Sequence, residues 1–271
     1  MPVLTEPLKL LTLVMNQTGL TSLEQIAASP NLTHLEILGN PIPASQIPLL
    51  RNLTRLGALI AANLGLTEVD FLRSMPHLTL LSLDGNPIEN WAGLSASVQM
   101  VFLSVNNTPL RDLSIVEPLS RLEHLDAAGS GIIDASGAES LTTLIGLRLQ
   151  QNKISDFSFL GSLGFLQQAN LSQNNAFVVP GTSSRMAIDA AIARGAIVSF
   201  LPQTVSSFRV GIDSALRVHV QGPDGGTPSL QERVSFDDPW VTSTFFPSFT
   251  GYSEFVPNSA APAKVFRSAS Q

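Results

Sequence analysis

The chain has 271 residues, 13% of them charged and 44% hydrophobic, with 21 acidic against 15 basic side chains for a formal charge of −6. Such a composition fits a folded chain of one or two domains, each large enough to bury a core, and argues against disorder. An acidic balance without a Lys/Arg block argues against nucleic acid as a partner, and the lack of cysteine removes disulfides, thiolate zinc sites and cysteine nucleophiles.

No apolar stretch reaches the ~20 residues that cross a bilayer. The opening MPVLTEPLKLL has neither the basic n-region nor the cleavage site of a signal peptide. The expectation is a cytosolic protein or a processed fragment. Leucine divides the chain: residues 1–201 hold 38 Leu, and beyond them come only Leu216 and Leu230. Aromatic residues run the other way, 8 before and 9 after, which implies two cores of different chemistry. The boundary falls in the aperiodic stretch LPQTVSS, near Pro202 to Ser207.

Within the first part, LTTLIGLRLQQNKISDFSFLGSLGFL places apolar side chains at Leu144, Leu147, Leu149, Ile154, Phe157, Leu160 and Leu163, and the series restarts at Leu166, a period of 22. The same frame starts at Leu56, Leu78 and Leu122. Units at Leu8, Leu32 and Val98 are assigned 24 residues, which gives eight units with the last truncated. Each Leu-x-Leu triplet is expected to be a short strand with alternate side chains inward, and one unit can bury its apolar row only by stacking on the next. Asn16, Asn40, Asn86, Asn106, Asn152 and Asn174 fall at the bend after each strand, where an amide can satisfy turn backbone. Leu64 and Ser130 interrupt that series. The sequons at Asn16, Asn31, Asn52 and Asn170 arise from the same repeat grammar.

This spacing resembles the leucine-rich repeat family, in the 22-residue class of bacterial internalins and certain phosphatase regulatory subunits, over about 190 residues. The resemblance implies an α/β solenoid with a parallel sheet on its concave face and short helices or extended segments on its convex face.

After Asn174, PGTSSRMAIDAAIARGAIVSFL predicts a helix over Arg185 to Arg194 capped by Ser183 or Ser184 and ended by Gly195, then a strand at Ala196 to Phe200. Residues 181–201 thus read as a cap that closes a domain of residues 1–201. No such cap precedes Leu8, so residues upstream of Met1 or a partner are expected to cover that end. In residues 208–271, alternating runs such as FRVGI, ALRVHV, LQERVSF and WVTSTFF between Gly/Pro/Asp turns predict a small antiparallel β-sandwich. This tail resembles the small β-domains that end secreted bacterial proteins, and an array joined to a β-sandwich resembles internalin architecture. Both resemblances imply export.

In this repeat class the residues flanking the inward leucines face the concave side. The frame brings Ile60, Leu80, Met100 and Phe102 together at its centre, with His34 and Glu36 on one side, His124, Asp126 and Arg148 on the other, and Asp84 in a third row. An apolar centre with a polar rim is the composition of a protein-binding patch. These side chains could instead merely cover a solvated sheet, but four large apolar groups on three adjacent strands favour the patch.

The His-Leu-Glu and His-Leu-Asp strings lie four strands apart, roughly 20 Å at ~4.8 Å per strand, and cannot share one metal ion. His77 and His219 complete no cluster. Gly129-Ser130-Gly131 lacks the nucleophile-elbow spacing and no Gly-rich loop ends in Gly-Lys-Ser/Thr, so neither an active site nor a cofactor is expected. Two alternatives to protein binding remain. One is surface attachment through the tail, with Trp240 and Tyr252 as sugar-stacking platforms or Asp237 and Asp238, with Asp224 or Glu232, around Ca²⁺. The other, implied only by the repeat class, is a regulatory subunit of an intracellular phosphatase.

Overall fold

A Leu-x-x-Leu-x-Leu string buries all its leucines only if the last four residues are extended, because period-two alternation sends every second side chain inward. A computed structural model describes residues 10–201 and 203, and beyond them the backbone of six strands. Nine three-residue strands form one parallel sheet in sequence order: β1 Thr12–Val14, β2 His34–Glu36, β3 Ala58–Ile60, β4 Leu80–Ser82, β5 Phe102–Ser104, β6 His124–Asp126, β7 Gly146–Arg148, β8 Gln168–Asn170 and β9 Ile197–Ser199. The central residues Leu35, Leu59, Leu81, Leu103, Leu125 and Leu147 are all buried in one continuous core.

Strand pairing corrects the frame at two coils. Thr12 pairs with His34 and Phe102 with Leu80, so the first coil starts at Leu10 and the fifth at Met100, each two residues later than assigned. Val98 is exposed while Met100 is fully buried, because 22 residues are needed to return the chain to the same inward position. Only the coil from Leu32 to Leu56 has 24 residues, and its return segment is a nine-residue 3-10 stretch, Ala44–Asn52. The later returns are shorter, such as Asp70–Ser74 and Ser158–Ser162. Several begin where a side chain caps the turn: Oδ1 of Asn90, Asp112, Asp134 and Asp156 accepts the backbone N–H two residues on.

The bend after four of the strands carries the buried Asn40, Asn86, Asn152 and Asn174, and in the third and sixth coils Leu64 and Ser130 hold that place. Asn86 shows the pattern: its Oδ1 accepts from Leu64 N and Leu66 N, and its Nδ2 donates to Ala61 O and Leu83 O. One amide thereby satisfies two coils. Asn16 and Asn106 are not part of this ladder, because the frame correction moves them two positions earlier. Thr18 and Thr108 hold the bend positions in their coils, and Thr108 Oγ1 donates to Val105 O.

The last coil returns through α2, Ser183–Ala193, before β9, as the first returns through a short α1 at Glu24–Ala27. The cap of α2 is Thr182, whose Oγ1 accepts from Arg185 N, rather than Ser183 or Ser184. Ser184 is drawn instead into the preceding coil, donating to Asp156 Oδ1 and accepting from Phe157 N. Gln203, also buried, donates to Leu171 O.

In the tail, Arg209–Ile212, Val218–Gln221 and Tyr252–Phe255 form one antiparallel three-stranded sheet, and Pro228–Arg233, Val241–Phe245 and Val265–Ser270 form another. Leu8, the boundary residues apart from Gln203, Asp224, Asp237, Asp238 and Trp240 lie outside the described residues, as do the side chains of Glu232 and Tyr252.

Candidate functional site

Two rows of side chains stand on the open face of the sheet. The strand register sets them as Thr12, His34, Ala58, Leu80, Phe102, His124, Gly146, Gln168 and as Val14, Glu36, Ile60, Ser82, Ser104, Asp126, Arg148, Asn170. Ile60, Leu80 and Phe102, on three consecutive strands, are half-buried and form the apolar centre. Met100 does not belong to it: at 0% exposure it is a core residue in the same inward row as Leu78 and Leu122. The centre therefore has three large apolar groups rather than four. Phe102 neighbours Leu80 directly, whereas the slipped frame set it beside Ser82.

On the other side of Phe102 the His124 ring lies with its centroid 6.2 Å away, tilted by 38°. A β-carbon on Gly146 would sit 2.5 Å from His124 Nδ1, so the imidazole lies across the space that this glycine leaves open. Asp126 pairs with Arg148, Nη1 to Oδ2 at 2.9 Å, and Arg148 extends into solvent.

Toward the N-terminal end, Glu36 is held by two neighbours: His34 Nε2 lies 2.9 Å from Oε1, and Asn16 Nδ2 donates to Oε2 at 2.8 Å. These bonds hold the Glu36 carboxyl below its ordinary pKa, the bond to His34 contributing most. Asp84, in the row just past the strands, accepts from Ser104 Oγ at 2.7 Å and from the backbone N–H of Asn106 at 2.8 Å. Asn106 Nδ2 also donates to Ser104 Oγ, and its Oδ1 accepts from Ala128 N. Ser104 and Gly146 fall on outward positions of the repeat. Asn106 is the site residue that the slipped frame misses, and counting 22 back from Leu122 would have found it.

The sheet thus brings Ile60, Leu80 and Phe102 together, with His34 and Glu36 on one flank, Asp84 beside the centre, and His124, Asp126 and Arg148 on the other flank. Among the described residues no group of three His, Asp or Glu side chains is gathered for a metal ion, and no helix is long and apolar enough to cross a membrane.

Solved structures with this coil stacking include an internalin, InlF, of Listeria monocytogenes, at 21% identity and a TM-score of 0.62 over 70% of this chain and 54% of that one. A leucine-rich repeat protein of Leptospira interrogans matches at 21% identity and a TM-score of 0.63, over 74% of this chain and 51% of that one. Internalin C2 of Listeria monocytogenes matches at 30% identity and a TM-score of 0.51, over 58% of this chain and 78% of that one. The chain is a leucine-rich repeat protein. It spans about half the length of InlF and of the Leptospira protein. No protein-family profile and no curated protein matches it. In a leucine-rich repeat array the open face of the sheet is the concave one, and the Phe102 centre stands on its middle strands.

Proposed function

We propose that this leucine-rich repeat array is a non-enzymatic protein-binding module whose partner seats on the concave face. The supporting observation is the cluster of Ile60, Leu80 and Phe102 on three consecutive strands, rimmed by Glu36, Asp84, Asp126 and Arg148. Apolar side chains at the centre of a polar rim are what a partner must desolvate to bind. The internalin neighbours support a bacterial surface or secreted setting. Residues 208–271, beyond a boundary at 202–207, form in this reading a small β-sandwich that serves as spacer or attachment domain.

The test is a pull-down with Phe102→Ala combined with Leu80→Ala. Both side chains are half-exposed, so thermal stability should stay within a few degrees while capture of the partner is lost. Unchanged capture would remove the concave face from the account.

A further inference from the structure

We infer that the partner segment is cationic around an apolar anchor, with Lys or Arg side chains drawn to Glu36 and to Asp84 while the anchor packs on Leu80 and Phe102. This rests on the concave face being the binding face. Glu36 on β2 pairs with Ile60, Ile60 with Ser82, and Asp84 lies two residues past Ser82. The two acidic residues are therefore about 10 Å apart across the strands and about 7 Å along them, roughly 12 Å in all. Asp84 is held by Ser104 and Asn106, which bring hydrogen bonds but no charge. Glu36 is held by Asn16 and by His34, which offsets its charge when the imidazole is protonated, so Asp84 is the carboxylate of the pair with no cationic partner among the described residues. Among the described residues the only Arg or Lys side chain on the two strand rows is Arg148, and it is already paired with Asp126. Beside the apolar centre the carboxylate charge thus exceeds the cationic charge, with Asp84 fixed by neutral donors, and an acidic partner would be repelled.

The aromatic face adds to the same preference. A guanidinium or ammonium near the Phe102 ring gains from the ring's negative face, whereas a carboxylate does not. Asp84 lies four residues past Leu80, the register partner of Phe102, about 13 Å along the strand direction. Side chains two apart in an extended peptide cover about 6.8 Å of that, and the length of a Lys or Arg side chain covers the rest. The formal charge of −6 acts in the same direction at long range.

The experiment selects from a phage-displayed library of random peptides on the intact, immobilised chain, then measures chosen peptides on wild type, Phe102→Ala, Glu36→Gln and Asp70→Asn. Asp70 lies away from this face, paired with Arg73, and controls for net charge. The expected peptides lose binding to Phe102→Ala and carry Lys or Arg within about two positions of a large apolar residue. Their affinity should fall about tenfold between low salt and about 0.5 M NaCl, with a shallower fall for Glu36→Gln and an unchanged one for Asp70→Asn. Phe102-dependent peptides that are neutral or acidic would overturn the cationic assignment and leave the concave face standing. An equal change of salt dependence in Asp70→Asn would reduce it to net charge and overturn its placement at Glu36 and Asp84. Peptides that bind Phe102→Ala as well as wild type, or a selection that yields none, would overturn the concave face itself.

Discussion

The side-chain amide of Asn63 fills the space that a β-carbon on Gly85 would occupy, with its Oδ1 2.1 Å from that position. Asn107 stands in the same relation to Gly129, at 2.6 Å. All four residues have positive φ, one per coil, so the glycine answers both to backbone geometry and to the neighbouring amide.

Gly85→Ala should therefore lower stability by about 1–2 kcal/mol, partly from left-handed backbone and partly from displacing Asn63. Combining it with Asn63→Gly should cost less than the sum of the single changes, by roughly 0.5 kcal/mol or more. Urea unfolding of the four proteins measures this. Strict additivity would show that the two positions do not communicate.

Met100 and Phe102 are two residues apart and belong to different worlds. Met100→Ala should cost about 2–4 kcal/mol, as expected for emptying a buried site, whereas Phe102→Ala should cost clearly less because that ring keeps solvent contact. Equal losses in a thermal melt would contradict the corrected frame.

Buried polar groups offer a paired comparison. Asn86→Ala leaves two backbone N–H groups and two carbonyls of adjacent coils without their partner, and should cost about 2–4 kcal/mol. Ser97 is buried in the row of Leu53 and Leu119, with no hydrogen-bond partner for its hydroxyl among the described residues. Ser97→Ala should therefore be neutral or stabilising by up to about 1 kcal/mol. A destabilised Ser97→Ala would mean that the hydroxyl is satisfied in solution.

Acid should loosen the C-terminal cap. Burial pushes the Asp156 carboxyl up, but hydrogen bonds from Ser158, Ser184 and Ser183 outweigh it and hold the pKa below the ordinary value. A carboxyl lowered on folding stabilises above its unfolded pKa, about 3.9, and that contribution fades as pH falls through the folded value. Since Ser184 belongs to α2, the difference in urea midpoint between wild type and Asp156→Asn should be present at neutral pH and shrink below about pH 4. A difference that persists undiminished in strong acid would assign the effect to shape rather than charge.

The coil period and the buried leucine rows are legible in the sequence because every inward position repeats at a fixed interval. The frame slips at the first and fifth coils for a local reason: Leu8 and Val98 are apolar residues two places before Leu10 and Met100, so hydrophobicity alone accepts either start. Asn106 misleads similarly. An amide near a bend suggests the buried ladder, while the bend itself is served by the hydroxyl of Thr108. The seat of His124 over Gly146 is a relation between neighbouring coils, which no single repeat can reveal.

The fifth and sixth coils carry Thr108 and Ser130 where their neighbours carry amides; Ser130 Oγ donates to Val105 O at 2.7 Å but meets Thr108 N only at 3.4 Å. A rod whose links touch only their neighbours yields at its most weakly riveted joint. The joint before Leu64, a side chain with no hydrogen-bonding group, is riveted least. The one near mid-length also has only two such bonds from its bend side chain, where Asn86 and Asn152 each make three, and a fluctuation that opens it parts the Phe102 ring from the imidazole beside it. Some stiffness is thereby given up beneath the broadest aromatic side chain on the hollow side.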